Sequence, residues 1–283
     1  MEHVRKPAWL KIDIGVSPRY TETKRIVDAH RLNTICTSGR CPNLGECWGR
    51  GIATFMICGN ICTRSCKFCN TMTGHPMPLD PDEPERVAES VKLMKLSHAV
   101  LTSVDRDDLP DCGARHWAET IKAIKRQNPQ TTLEALIPDF RCLPELIHQV
   151  TDETPDIVSH NIETVRRISP MVRSVASYEG SLRVIRTIAD TGRVAKSGIM
   201  VGLGETEEEV LETMDDLLAN GCSILTIGQY LQPSRRHYPV AEYVTPERFR
   251  KYKDIGEGKG LRTVESGPLV RSSYHAEKHI SVM

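Results

Sequence analysis

Six of the ten cysteines fall in two triplets, Cys36, Cys41 and Cys47, then Cys62, Cys66 and Cys69, and each triplet is one thiolate short of a tetrahedral set. A closed structural zinc site takes four protein ligands, whereas a metal site that binds substrate or cofactor keeps a position open. The Cys62-x-x-x-Cys66-x-x-Cys69 spacing lets three thiolates wrap one small cluster, and a [4Fe-4S] cube held this way keeps one iron free. The alternative at this triplet is zinc completed by a distant Cys or His. The Cys36-x4-Cys41-x5-Cys47 run lacks the paired CxxC knuckles of zinc ribbons. The other four cysteines, Cys58, Cys112, Cys142 and Cys222, read as buried small hydrophobes. His98, His160 and His237 show no ligand spacing among themselves.

Composition bounds what such sites can serve. The chain has 283 residues, 39% apolar and 26% charged, enough for one large α/β domain with appendages or two small ones. Lys plus Arg and Asp plus Glu both total 37, which argues against broad nucleic-acid binding. The stretch Met1 to Arg19 has no apolar run of a secretory signal or anchor, and no segment reaches the ~18 apolar residues of a spanning helix. The expectation is a soluble, cytoplasmic protein with no membrane partner, its thiols reduced and available to metal.

From about residue 53 short apolar strands alternate with amphipathic stretches. Strands are predicted at Ala53 to Ile57, Ala99 to Ser103, Thr132 to Ile137, Asp156 to Ser159, Ser197 to Val201 and Ile224 to Ile227. Helices are predicted at Glu83 to Lys95, Ala114 to Arg126, Pro144 to Val150, Tyr178 to Ala189, Glu207 to Ala219 and Pro246 to Asp254. Thr206 with Glu209 forms a capping box, Thr245 precedes Pro246, and Thr191-Gly192 and Asn220-Gly221 are helix stops. Gly202-x-Gly204 reads as a tight turn into the helix that Thr206 caps. Six βα units favour a parallel sheet, curled into a partial barrel or laid out as an open doubly wound sheet. Either places its site at the C-terminal ends of the strands.

The cysteine loop after the first strand, with Phe68 beside the last cysteine, resembles the radical S-adenosylmethionine (SAM) superfamily. Both triplets together, with Thr102-Ser-Val-Asp-Arg-Asp-Asp-Leu-Pro110, Gly228-Gln-Tyr-Leu-Gln-Pro233 and Gly267-Pro-Leu-Val-Arg-Ser-Ser-Tyr274, resemble the lipoyl synthase family from about Arg31 to Ala276. The resemblance implies an α/β fold, a partial (β/α)6 barrel over residues 51–260. An N-terminal extension, 1–50, and a C-terminal one, 261–283, would carry an auxiliary cluster. It implies two [4Fe-4S] clusters: Cys62, Cys66 and Cys69 hold the one whose free iron chelates SAM, and Cys36, Cys41 and Cys47 hold the other. A serine of Arg271-Ser272-Ser273-Tyr274 supplies the latter's fourth ligand. Because neighbours in an extended segment point to opposite sides, one serine ligates, Ser273, with Ser272 in reserve.

Further expectations rest on the same resemblance. The activity is sulfur insertion at C6 and C8 of a protein-bound octanoyl-lysine, with two SAM per turnover and the auxiliary cluster as sulfur source. Thr102, Ser103, Asn161, Glu163 and Arg173 would contact SAM, with Asp105 adding charge. As residues alone they also read as loop or helix caps, an exposed arginine and, for Lys196, a strand-edge lysine. Partners would be octanoylated lipoyl carrier domains (2-oxoacid dehydrogenase E2 or glycine cleavage H protein), an electron donor such as ferredoxin or flavodoxin, and an iron-sulfur carrier. Cys112 departs from the family's glycine after Asp111, which puts the local turn in doubt. The competing readings are a zinc-stabilised, non-enzymatic binding protein and another sulfur-inserting enzyme such as a methylthiotransferase.

Overall fold

The computed structural model describes residues 6–11, 17–50, 52–274, 276 and 279. The outermost parts of the two expected extensions, residues 1–5, 12–16 and 280–283, lie outside them. Two compact units are present: Asp13–Arg64 with Asn70–Val158, and Met1–Ile12, Ser65–Cys69 and Ser159–Met283.

The first unit carries strands β1 (Thr54–Ile57), β2 (Ile61–Cys62), β3 (Met72–Thr73), β4 (His98–Ser103), β5 (Thr132–Leu136) and β6 (Ile157–Ser159), whose last residue belongs to the other unit. Its helices are α1 (Pro18–Ala29), α2 (Ile35–Ser38), α3 (Leu44–Gly49), α4 (Glu83–Leu93), α5 (Ala114–Gln127) and α6 (Pro144–Thr151). Strands β1, β4 and β5 are parallel and lie in chain order, with Met56 opposite Thr102 and Thr102 opposite Leu136. All four residues of β1 are buried, as in a parallel strand covered on both faces. Helix α5 shows why the pattern was readable: Trp117, Ile121 and Ile124 recur at helical spacing and are fully buried. The short pair β2 and β3 is parallel and closes the cysteine loop on itself.

The second unit carries β7 (Val194–Val201), β8 (Ile224–Gln229), β9 (Thr263–Gly267), α7 (Ser169–Val172), α8 (Tyr178–Asp190), α9 (Glu207–Ala219) and α10 (Pro246–Lys259). Strands β7, β8 and β9 are again parallel and in chain order. Neither unit contains the reversal of strand order that defines a doubly wound sheet, which separates the two architectures that periodicity left open. The expected signals hold: the Thr206–Glu209 capping box is complete, Thr245 accepts from the Arg248 amide, and Gly192 and Gly221 take left-handed φ of 76° and 82°. Gly202 and Gly204 likewise turn at φ 95° and 106°.

Two expectations change. Strand β9 is additional, and its sequence Thr-Val-Glu-Ser-Gly buries only Val264, so no apolar run announces it. Lys196 does not precede a strand; it lies within β7 at 1% exposure, its Nζ 3.3 Å from His279 Nδ1.

Candidate functional site

The N-terminal triplet hangs beside β1. Thr34 bridges to Phe55, and the Met56 amide donates to the Asn33 carbonyl at 2.8 Å, so the start of α2 is fixed to the strand. Thr34 caps α2, which buries Cys36. The Cys41 amide then reaches back to the Cys36 carbonyl at 3.0 Å, and Cys47 sits in α3. Burial, with the neighbouring charges of Cys36 and Cys41 next, pushes the Cys47 thiol up to about 12. Burial and then Cys41 also raise Cys36. Cys36 and Cys47 thus both feel a neighbouring thiol of the same triplet.

Cys62 ends β2, and its sulfur receives two amide N–H groups, from Arg64 and Asp105, both at 3.4 Å. Its thiol faces Asp105 Oδ2 at 3.6 Å. Burial, opposed next by the Arg64 charge, raises the Asp105 carboxyl above its ordinary value. Thr63 fastens the same turn, its amide and hydroxyl both donating to the Asp105 carbonyl, at 3.1 and 3.0 Å. Sequence reasoning missed Arg64, which is 6% exposed and ion-paired with Asp105, Asp107 and Asp139. The acidic run Asp105 to Asp108 after β4 was the available signal.

The end of β4 places Thr102 at 8% exposure and turns Ser103 Oγ to accept the Trp117 indole N–H at 3.1 Å. Cys112 takes φ 51° directly before Gly113 at 85°, so the turn keeps the shape a glycine would give. Cys58, Cys112 and Cys222 are buried as expected, whereas Cys142 is half-buried. Phe140, Arg141 and Cys142 all have positive φ, of 45°, 54° and 57°, so Cys142 lies in a left-handed turn and not in a packed strand or long helix.

In the second unit, Ser65–Cys69 is pinned from two directions. The Ser65 amide donates to Ser174 Oγ at 3.1 Å and the Lys67 amide to the Val172 carbonyl at 2.7 Å. From the loop after β8, His237 Nε2 donates to the Cys69 carbonyl at 3.0 Å and the Tyr238 amide to that of Lys67 at 2.9 Å. Cys66 Sγ lies 3.6 Å from Ser174 Oγ. Glu163 follows β6 at φ 71°, a sparsely populated region for a non-glycine residue, and bridges to Ile199. Arg173 donates to Ser181 Oγ at 2.7 Å and to the Ile162 carbonyl at 3.3 Å; His160 Nε2 bonds the same serine at 2.9 Å.

Asn161 donates to Ser272 Oγ at 2.7 Å, which brings two expected site residues together. The segment bearing Ser272 and Ser273 is not extended but turned, with the Tyr274 amide on the Arg271 carbonyl at 2.9 Å. Strand alternation therefore does not separate the two serines. Two glycines make room. A Cβ at Gly198 would meet Asn161 Oδ1 at 2.7 Å, and one at Gly228 would meet the Val270 carbonyl oxygen at 2.2 Å.

All ten cysteines are free thiols. Among the described residues no three His, Cys, Asp or Glu side chains are closed to hold a single metal ion. A cube presents its corners farther apart than one ion presents its ligands, so donor chemistry is the test. Grouped soft thiols, one already receiving two N–H donors, suit iron-sulfur ligation.

Fold and cysteine loop together define a radical SAM protein. A sequence model of the Radical SAM superfamily matches residues 56–217, and the chain belongs to that superfamily. Solved structures agree in fold: HydG, a maturase of the [FeFe]-hydrogenase, at TM-score 0.58 and 14% identity over 84% of this chain and 61% of that one. Streptococcus suis SuiB bound to S-adenosylmethionine gives 0.58 at 9% identity over 77% of this chain and 51% of that one. The chain thus spans about half to three fifths of those two structures.

Full-length similarity narrows the class. The lipoyl synthase of Phocaeicola vulgatus is 72% identical over 280 residues, 99% of both chains. That of Bacteroides thetaiotaomicron is 71% identical over 279 residues, again 99% of both, and that of Treponema denticola 59% over 276, 98% of this chain and 95% of its own. The chain belongs to the lipoyl synthase family. It is a sulfur-inserting radical SAM enzyme that forms the lipoyl group, with SAM and an iron-sulfur cluster. No described helix is long and apolar enough to cross a membrane.

Proposed function

We propose that the chain holds two [4Fe-4S] clusters and divides their roles between its cysteine triplets. Cys62, Cys66 and Cys69 hold the SAM-binding cluster; Cys36, Cys41, Cys47 and Ser273 hold the auxiliary one, which donates the sulfur. The observation that carries the reading is the pair of separately built thiol sites. Cys36 and Cys47 are each perturbed by a thiol of their own triplet beside β1, while Cys62 belongs to a different turn. When bound, SAM and its cluster would supply an adenosyl radical that takes one hydrogen from each reacting carbon, leaving as 5′-deoxyadenosine, and the auxiliary cluster would supply the sulfur that joins that carbon, with two SAM per turnover.

The chain's own residues do the placing. Thr102 and Ser103 stand at the C-terminal end of β4, and Asn161, Glu163 and Arg173 follow β6, where a strand-end ligand would lie. Ser103 and Arg173 are themselves held, by Trp117 and by Ser181, so each would meet SAM from a fixed position. Ser273 is taken as the ligating serine, with Ser272, whose hydroxyl accepts from Asn161, in reserve. A hydroxyl oxygen matches iron less well than thiolate, so this corner releases most readily, as a consumed cluster requires. The organisation into residues 1–50, 51–260 and 261–283 follows from these roles.

Partners follow from the chemistry: octanoylated 2-oxoacid dehydrogenase E2 or glycine cleavage H domains, ferredoxin or flavodoxin, and an iron-sulfur carrier, all in the cytoplasm. Protein purified without oxygen, then given an octanoyl-lysyl peptide, reductant and SAM, is expected to release 5′-deoxyadenosine and form a dithiolated product. It should carry about eight irons per chain. Colourless, zinc-loaded protein, or adenosyl release without sulfur insertion into any octanoylated carrier, would overturn the reading.

A further inference from the structure

Arg64 lies between two of the expected cluster ligands, yet its side chain is directed into the protein and is 4% exposed. Its guanidinium forms two forks. Nε and NH2 donate to the two Asp107 oxygens, both at 2.8 Å, and NH1 and NH2 donate to Asp139 at 3.0 and 2.7 Å. NH1 also lies 3.2 Å from Asp105 Oδ1. The five N–H donors of an arginine are thus matched to three carboxylates on the loops after β4 and β5. Burial works against the charge, but the Asp107 and Asp139 bonds outweigh it and hold the guanidinium strongly protonated.

The consequence falls on Cys62. Both amides aimed at its sulfur belong to this cage, one from Arg64 itself and one from Asp105. The Asp107 amide donates to Thr63 Oγ1 at 3.1 Å and that hydroxyl bonds Asp107 Oδ2 at 2.9 Å, so moving Asp107 moves the cysteine turn. A lysine would keep the charge but could not span three carboxylates.

We propose that Arg64 is a positioning residue for the Cys62 corner of the SAM-binding cluster: by locking the loops after β4 and β5 to the cysteine turn, it fixes two N–H···S hydrogen bonds on that sulfur. Such bonds stabilise the more negative, reduced cluster and raise its potential. The role rests on the cluster assignment made above, and it is separable from it because the cage is built wholly of protein groups whose amide exchange can be read without iron.

The test compares wild type, Arg64→Lys and a control, Arg106→Lys. Arg106 is also buried, but its guanidinium bonds run to Asp108 at 2.9 Å and to the Cys58 carbonyl at 3.1 Å. In cluster-free protein, amide exchange across residues 62–64 and at Asp105 should quicken by about tenfold or more in Arg64→Lys and stay unchanged in Arg106→Lys. In reconstituted protein, the reduced-to-oxidised ratio of the cluster at a fixed poise should fall by about tenfold, about 59 mV for one electron. If Arg64→Lys does not fold, Asp139→Asn is read in its place, with the same directions expected. Unchanged exchange and potential in the folded variant, or equal changes in Arg106→Lys, would overturn the proposal. Failure of the wild type to take up iron would overturn the cluster assignment instead.

Discussion

Gly228→Ala tests how the serine-bearing segment is seated. Gly228 lies in β8 opposite Met200 and Gly267, and its added methyl would sit 2.2 Å from the Val270 carbonyl oxygen and 3.1 Å from its carbon. An ordinary carbon–oxygen approach is about 3.3 Å or more, so one backbone must retreat by about 1 Å. Such overpacking costs about 1–3 kcal/mol. Two of the features that seat the segment can be given a magnitude. One is burial of Val270, 7% exposed, which is worth about 1.5–3 kcal/mol; the other is the Asn161–Ser272 hydrogen bond, about 1 kcal/mol. The penalty is therefore comparable with these two contributions together, and much smaller than what holds the sheet. The segment should lift while the sheet stays folded. Amide exchange at 270–274 is expected to quicken by about 5- to 150-fold, with exchange in β7 and β8 unchanged. Iron held by the auxiliary site should fall in step. Unaltered protection at 270–274, or a cooperative loss of the whole sheet, would refute the reasoning.

Three other outcomes are expected. Cys41→Ala should halve bound iron and stop sulfur insertion while SAM cleavage continues; loss of cleavage, read as 5′-deoxyadenosine, would mean that the triplets do not divide their roles. Thr206→Ala removes a complete capping box from α9 and should cost about 0.5–2 kcal/mol in urea unfolding, against no change if the cap is idle. Asp107 is held below its ordinary carboxylate value of 3.8, chiefly by its Arg64 hydrogen bond, so its contribution is present above that pH and fades as pH falls through the lower folded value. The stability gap between wild type and Asp107→Asn should accordingly be level near neutrality and shrink below pH 3.8, measured by urea unfolding at stepped pH. A gap that stays constant on acidification contradicts the pairing.

The composition and order of residues determined the ligand chemistry and the rhythm of the fold. Cysteine triplets announce themselves because metal ligation depends on residue type and short spacing, both of which survive in one dimension. Helices such as α5 and α9 were legible for the same reason: their buried faces recur every three or four residues, and caps such as Thr206 act within a single turn. Strand β9 escaped because only Val264 is buried in it.

Other features only the tertiary structure decided, since they join residues that are remote in sequence. Arg64 meets Asp139 across 75 positions, and nothing local tells an arginine which carboxylates will surround it. Asn161 meets Ser272 across 111, a pairing that no local pattern announces. Gly228 looks like any strand glycine until the Val270 carbonyl is placed against it. Lys196 reads as a solvated strand end, yet β7 carries it fully inside, because strand length and register are fixed by neighbouring strands and not by the residue itself. Ligand identity is thus a property of the chain, while the orientation and electrostatics of each ligand are properties of loops that the sheet brings together.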